Sequence, residues 1–193
     1  MANMKTALII HGWPSKEEFF DPATPAPSNN HWLPWLQKQL LLKGILAQTP
    51  EMPDAYEPNY EKWKATFEQF HVDEETTLVG HSCGGGFLVR WLSENKVKVG
   101  PVILVAPWMD VAHEERESIG GFFDFEVDPT LSDRTDGVTI FISSDDDQPI
   151  LDIVELLEQM LKGHFTRRFE DKGHFCISDG VAEFPELLEE IGK

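Results

Sequence analysis

Short apolar runs rich in β-branched residues alternate along the chain with stretches of helical periodicity, and this alternation restricts the fold more than any other feature. The runs lie at 6–10, 76–79, 99–106 and 138–142, flanked by Gly, Pro or Asp, with weaker ones at 45–48 and 164–169. Near-continuous apolar character is what strands covered on both faces require. Between them Trp32, Trp35, Leu36, Leu40 and Leu41 form one helical stripe, Trp63, Phe67 and Phe70 a second, and Phe87, Leu88, Trp91 and Leu92 a third. Ile150, Ile153, Val154, Leu157 and Leu161 form a fourth. Phe184, Leu187, Leu188 and Ile191 form a fifth, with Pro185 suited to a first helical turn. Strand and helix in alternation imply an α/β fold on a mainly parallel sheet with right-handed crossovers. At 193 residues a single domain over 1–193 is expected.

Two segments interrupt the pattern. Residues 14–30 contain Pro14, Pro22, Pro25 and Pro27 and read as a long loop after the first strand. Residues 110–136 carry the charged run Glu114-Glu115-Arg116-Glu117, the Gly120-Gly121 pair and Phe122, Phe123 and Phe125. The three phenylalanines favour docking against the body as a cap over a disordered linker. Loops of this length inside a small domain are often functional, and substrate selection is expected to rest on these two.

The formal net charge is −18, and it is uneven: residues 1–97 carry 8 basic and 12 acidic groups, residues 98–193 carry 8 and 22. Such a field argues against nucleic acid, anionic membrane surfaces and highly anionic substrates as partners. Two cysteines, Cys83 and Cys176, are too few for a secreted disulfide framework. The apolar run at 7–10 is too short for a signal-peptide core or a bilayer span, so a cytoplasmic location is expected.

The richest chemistry lies in Gly80-His81-Ser82-Cys83-Gly84, a G-x-S-x-G sequence directly after an apolar strand and directly before a helical stripe. That context is what a nucleophile elbow needs: a turn tight enough to expose Ser82, with glycines where a side chain would not fit. The alternative is a glycine-rich turn binding a phosphate, but no Walker-type Lys-Ser/Thr pair follows. A serine nucleophile needs a base and the base an orienting acid. His174 falls in a loop between the last strand and the last helix. With an acid from Asp145-Asp146-Asp147 it completes the chain order Ser, Asp, His of α/β hydrolases. Asp147 is the favoured acid, Asp146 the second choice and Asp145 the third. The three could also be a solvated strand exit, and the spacing of a calcium loop is absent. Backbone amides of Cys83 and Trp13 are the expected oxyanion donors. His11 and His81 read as packed, hydrogen-bonding residues, and Cys176 as an inert core residue.

His11-Gly12-Trp13, Asn30-His31-Trp32-Leu33-Pro34-Trp35-Leu36, Gly80-His81-Ser82, Ser144-Asp145-Asp146-Asp147-Gln148 and Gly173-His174-Phe175 together resemble the small serine hydrolases grouped with retinoblastoma-binding protein 9 and YdeN. The motifs run from the first strand to the last helix. The resemblance implies an α/β-hydrolase-like three-layer sandwich with a mainly parallel central sheet, and a Ser-His-Asp triad on Ser82, His174 and an acid of the 145–147 run. Matching Asp-Asp-Gln to the family tripeptide selects Asp147, and the spacing from 147 to 174 fits as well. The chain departs from the family in a longer loop over 14–28 and in carrying its proline at Pro149. A retinoblastoma-type partner is not expected, because histidines, His81 and His174, stand where L-x-C-x-E needs leucine. No metal or organic cofactor is implied. These features predict a serine hydrolase, as a carboxylesterase acting on small or neutral acyl esters. A protein-binding module on a hydrolase scaffold is the alternative.

Overall fold

The computed structural model describes residues 5–111 and 119–192. Strand β1 (Thr6–Ile10) runs beside β2 (Leu46–Gln48) on one side and β3 (Thr76–His81) on the other, with Leu8 opposite Leu78 and Ile10 opposite Gly80. The sheet continues through β4 (Val102–Val105), β5 (Val138–Ser143) and β6 (His164–Phe169), all parallel, in the order β2-β1-β3-β4-β5-β6. Every residue of β3 and β4 is buried, which is why those runs carry no polar alternation. The edge strand β6 instead exposes Phe165 and Arg168 and leaves Arg167 half-buried.

Strand order reverses between β1 and β3, so the chain leaves their carboxyl ends in opposite directions and opens a crevice there. The segments leaving those ends carry Trp13 and Ser82. Two expected boundaries move. β4 starts at Val102 rather than 99, because Pro101 has no N–H for the ladder and the Val99 amide turns to Arg134 O at 3.0 Å. β3 runs two residues past its apolar core, since Gly80 and His81 pair with Leu104 and Val105.

Helices α1 (Lys16–Phe20), α2 (Leu33–Leu42), α3 (Tyr60–Phe67), α4 (Cys83–Glu94), α5 (Gln148–Met160) and α6 (Pro185–Ile191) follow the expected stripes except for α1, which forms inside the 14–30 loop. Phe67 of α3 meets Trp91 and Phe87 of α4 at ring distances of 4.8 and 5.4 Å. Phe184, at the start of α6, meets Trp32, Phe141 and Phe175 at 5.8, 5.4 and 5.2 Å. These buried rings, each removing on the order of 150–250 Å² from water, supply much of the core. Phe122 and Phe123 are buried against Trp63 and Trp108, so this loop does dock on the body. The charged run Glu114-Glu115-Arg116-Glu117 lies outside the described residues. No helix among the described residues is long and apolar enough to cross a membrane.

Candidate active site

With β3 ending at His81 and α4 beginning at Cys83, the whole reversal falls on Ser82, at φ 53° and ψ −123°. A non-glycine residue held there stores about 1–3 kcal/mol and persists only where neighbours over-determine it. The Ser82 amide donates to Val105 O at 2.9 Å, and Ser82 O accepts from the amides of Gly85, Trp108 and Gly86 at 2.9, 3.0 and 3.2 Å. A serine in the N-cap position ordinarily caps its helix through the hydroxyl. Ser82 makes no such bond and lines a cavity of about 220 Å³ together with His174. Steric closeness accounts for the two flanking glycines: a Cβ on Gly80 would lie 2.6 Å from Gly84 O, and one on Gly84 would collide with the carbonyl oxygens of Ile10 and His11.

The three aspartates after β5 take three different positions. Asp145 accepts from Ser143 Oγ and from the Gly173 amide, tying the end of β5 to the loop that carries His174; the Ser143 bond, ahead of the others, holds its carboxyl below the usual range. Asp146 is buried, with its side chain 1% exposed, and both its oxygens lie 3.0 Å from His174 Nδ1. Asp147 is exposed and occupies the N-cap position of α5. The carboxylate that meets His174 is therefore Asp146, not the expected Asp147. Pro149 gives the reason: it sits in the first turn of α5, which fixes Asp147 at the helix boundary and leaves the preceding residue to turn inward. His174 is further held through its backbone, its N–H donating to Asp179 Oδ2 at 3.1 Å and its carbonyl accepting from His81 Nε2 at 2.8 Å.

The amides of Cys83 and Trp13 have no hydrogen-bond partner among the described residues, so both are free to meet a ligand in the cavity. Trp13 is oriented by its indole, which donates to Tyr56 O at 2.9 Å and packs 5.4 Å from Trp108. Cys176 is not a core residue as expected: it lines the cavity, and burial, aided by Asp179, pushes its thiol up to about 12. Burial likewise pushes the Cys83 thiol up. The described residues of the second loop contribute no wall to this cavity, whereas residues 14–31 of the first do.

Four histidines cluster around the elbow. His81 lies between His174 and His31, at ring distances of 5.2 and 5.6 Å, and its Nδ1 is buried without a partner among the described residues. His11 donates from Nδ1 to Gly12 O and accepts at Nε2 from the Met52 amide, a packed, hydrogen-bonding arrangement. His31, itself at φ 54°, accepts at Nδ1 from the Ile177 amide at 3.1 Å. Burial is the first cause that lowers the proton affinity of His11, His31 and His81, and for His31 and His81 the neighbouring His174 is the second. Such groups are neutral when folded and gain a proton on unfolding. Stability is complete above the usual imidazole value near 6.5 and is lost as pH falls below it, most steeply for His81, at up to about 1.4 kcal/mol per pH unit for a ring that stays unprotonated when folded. Thermal melting from pH 7 to pH 5 is expected to show this fall, with His81→Phe removing about one proton from the slope. An unchanged slope would assign the loss to other groups.

Three residues of the site are not foreseen from periodicity or motif: Glu18 and Phe19, which α1 brings into the cavity wall, and Asp179, whose Oδ2 accepts from the amides of both His174 and Cys176. One signal was available: Ser15-x-x-Glu18 is a helix-start pattern inside the supposed loop, and Ser15 Oγ does accept from the Glu18 amide.

A parallel sheet with a strand–serine–helix turn at its switch point, a histidine loop after the last strand and a buried acid after the preceding one define an α/β hydrolase. A family model described as serine hydrolase matches residues 7–192, and the chain belongs to that family. It is 29% identical over 197 residues to YdeN of Bacillus subtilis (strain 168), covering 96% of this chain and 93% of the relative. It is 26% identical over 169 residues to the serine hydrolase RBBP9 of Rattus norvegicus, covering 83% and 84%. The crystal structure of the B. subtilis ydeN gene product superposes with a TM-score of 0.81 at 24% identity, covering 97% of each chain.

Proposed function

We propose that this hydrolase is a carboxylesterase acting on small or neutral acyl esters. Ser82 Oγ attacks the acyl carbonyl while His174 Nε2 takes its proton. Asp146, at Nδ1, holds the ring in the tautomer that leaves Nε2 free and stabilises the imidazolium. The tetrahedral oxyanion is met by the Cys83 and Trp13 amides at the positive end of α4. Collapse expels the alcohol, which receives the proton from His174. Water then repeats the sequence on the acyl-enzyme, returning Ser82 and releasing the acid. These steps call on no metal or organic cofactor.

The observation that carries this reading is the symmetric 3.0 Å approach of the buried Asp146 carboxylate to His174, in the same cavity as a strained Ser82. The cavity, at about 220 Å³, lies below the usual range for drug-sized ligands and suits a short acyl chain. Both cysteines are free thiols, which supports the cytoplasmic location proposed here. Labelling by a fluorophosphonate probe tests the function: wild type is expected to react and Ser82→Ala not. If wild type labels no faster than Ser82→Ala and hydrolyses no short-chain ester, the scaffold is a binding module instead.

A further inference from the structure

The wall of the cavity contains one charged side chain from the Asp, Glu, Lys and Arg set among the described residues, Glu18. Its position is not explained by the helix it belongs to. Glutamate three residues after an N-cap serine usually reaches back to the serine amide. Glu18 forms no such bond, and its nearest donor is Asn30 Nδ2 at 3.5 Å, the outer limit of a hydrogen bond. The lysine of the same helix, Lys16, lies 5.8 Å from the ring centre of Tyr56 and makes no ion pair with Glu18. Among the described residues the half-buried carboxylate thus has no cation paired with it.

What surrounds it suits a cation. Trp13 and Phe19 share the wall, their rings held by Trp108 at 5.4 Å and by Tyr56 at 4.9 Å, while Pro14, Pro25 and Pro27 keep the rest apolar. An ammonium group beside aromatic rings is attracted by their quadrupoles, the more so when water is excluded. Across the cavity the other fixed charges are also negative, Asp146 behind His174 and Asp179 beneath the His174 and Cys176 amides. His31, the neighbouring imidazole, has its proton affinity lowered by burial and by His174.

We propose that Glu18, with Trp13 and Phe19, binds an ammonium group on the alcohol part of the substrate, so that the substrates are small-acyl esters of amino alcohols. This rests on the esterase reading above: a small neutral acyl group at Ser82 leaves the cation to the departing alcohol, which carries it away after cleavage.

The test compares acetylcholine with its uncharged carbon isostere 3,3-dimethylbutyl acetate, following acid release by the wild type and by Glu18→Gln. The ratio of kcat/KM values is expected to favour acetylcholine by about tenfold in the wild type, equivalent to about 1.4 kcal/mol, and to fall to about one in the variant. A wild-type ratio at or below one, or the same ratio in Glu18→Gln, overturns the proposal while leaving the esterase reading intact. If neither ester is cleaved, the esterase reading fails separately, and the cation site is judged by calorimetric binding of choline to Ser82→Ala with and without Glu18→Gln. Choline binding about tenfold tighter with Glu18 present upholds the site, and equal affinities overturn it.

Discussion

Asp146→Asn is expected to lower kcat for a short-chain ester by about 10³–10⁴-fold, whereas Asp147→Asn changes it by less than about threefold. The asymmetry follows from where the two carboxylates point. Both oxygens of Asp146 face His174 Nδ1, so replacing one oxygen by an amide nitrogen places a donor against a donor. The ring must then adopt the tautomer whose proton sits on Nε2, where it no longer accepts from Ser82. Asp147 has no side-chain capping bond to lose and faces solvent, so its amide variant leaves the imidazole untouched. Initial rates for a nitrophenyl ester with the two single variants decide the matter, with melting temperatures to show that both are folded. A loss at Asp147 as large as that at Asp146 would move the acid back to 147.

Gly84→Ala is expected to lower stability by on the order of 4 kcal/mol, a drop in melting temperature of about 10–15 °C for a chain of this length. Alanine there would drive its methyl into the carbonyl oxygens of Ile10 and His11, two adjacent backbone atoms that cannot swing aside as a side chain could. Relief requires α4 to lift from β1. The same movement would separate the Cys83 amide from the Trp13 amide, so any folded fraction should also react slowly with a fluorophosphonate. Gly192→Ala is the control, because a Cβ there meets its nearest neighbour, Leu188 O, at an ordinary 3.5 Å. A Gly84→Ala melting point within about 3 °C of wild type would mean that the β1–α4 contact relaxes far more cheaply than its geometry implies.

Periodicity made the sheet legible because β1, β3, β4 and β5 are buried on both faces, and an uninterrupted apolar run has few other homes. The elbow was legible for a related reason: its glycines are demanded by backbone contacts, and backbone contacts repeat wherever the turn does. The acid was harder to read. Asp145, Asp146 and Asp147 are chemically identical, and what separates them is the direction each leaves the chain, decided by where α5 starts. Cys176 was misread because an apolar side chain beside an active-site loop can be wall as readily as core. Glu18 escaped because a proline-rich segment hides a five-residue helix that no stripe could reveal.

The cavity draws most of its wall from one continuous stretch, Gly12 through His31, while Ser82, Asp146 and His174 come from three separate loops anchored to the sheet. Apart from the Trp13 amide, chemistry and selectivity are therefore inherited as separate pieces of chain. Exchanging residues 14–30 between relatives offers a way to transplant substrate preference without disturbing the reacting groups, provided the graft returns to Trp32 with the Asn30 and His31 backbone in place.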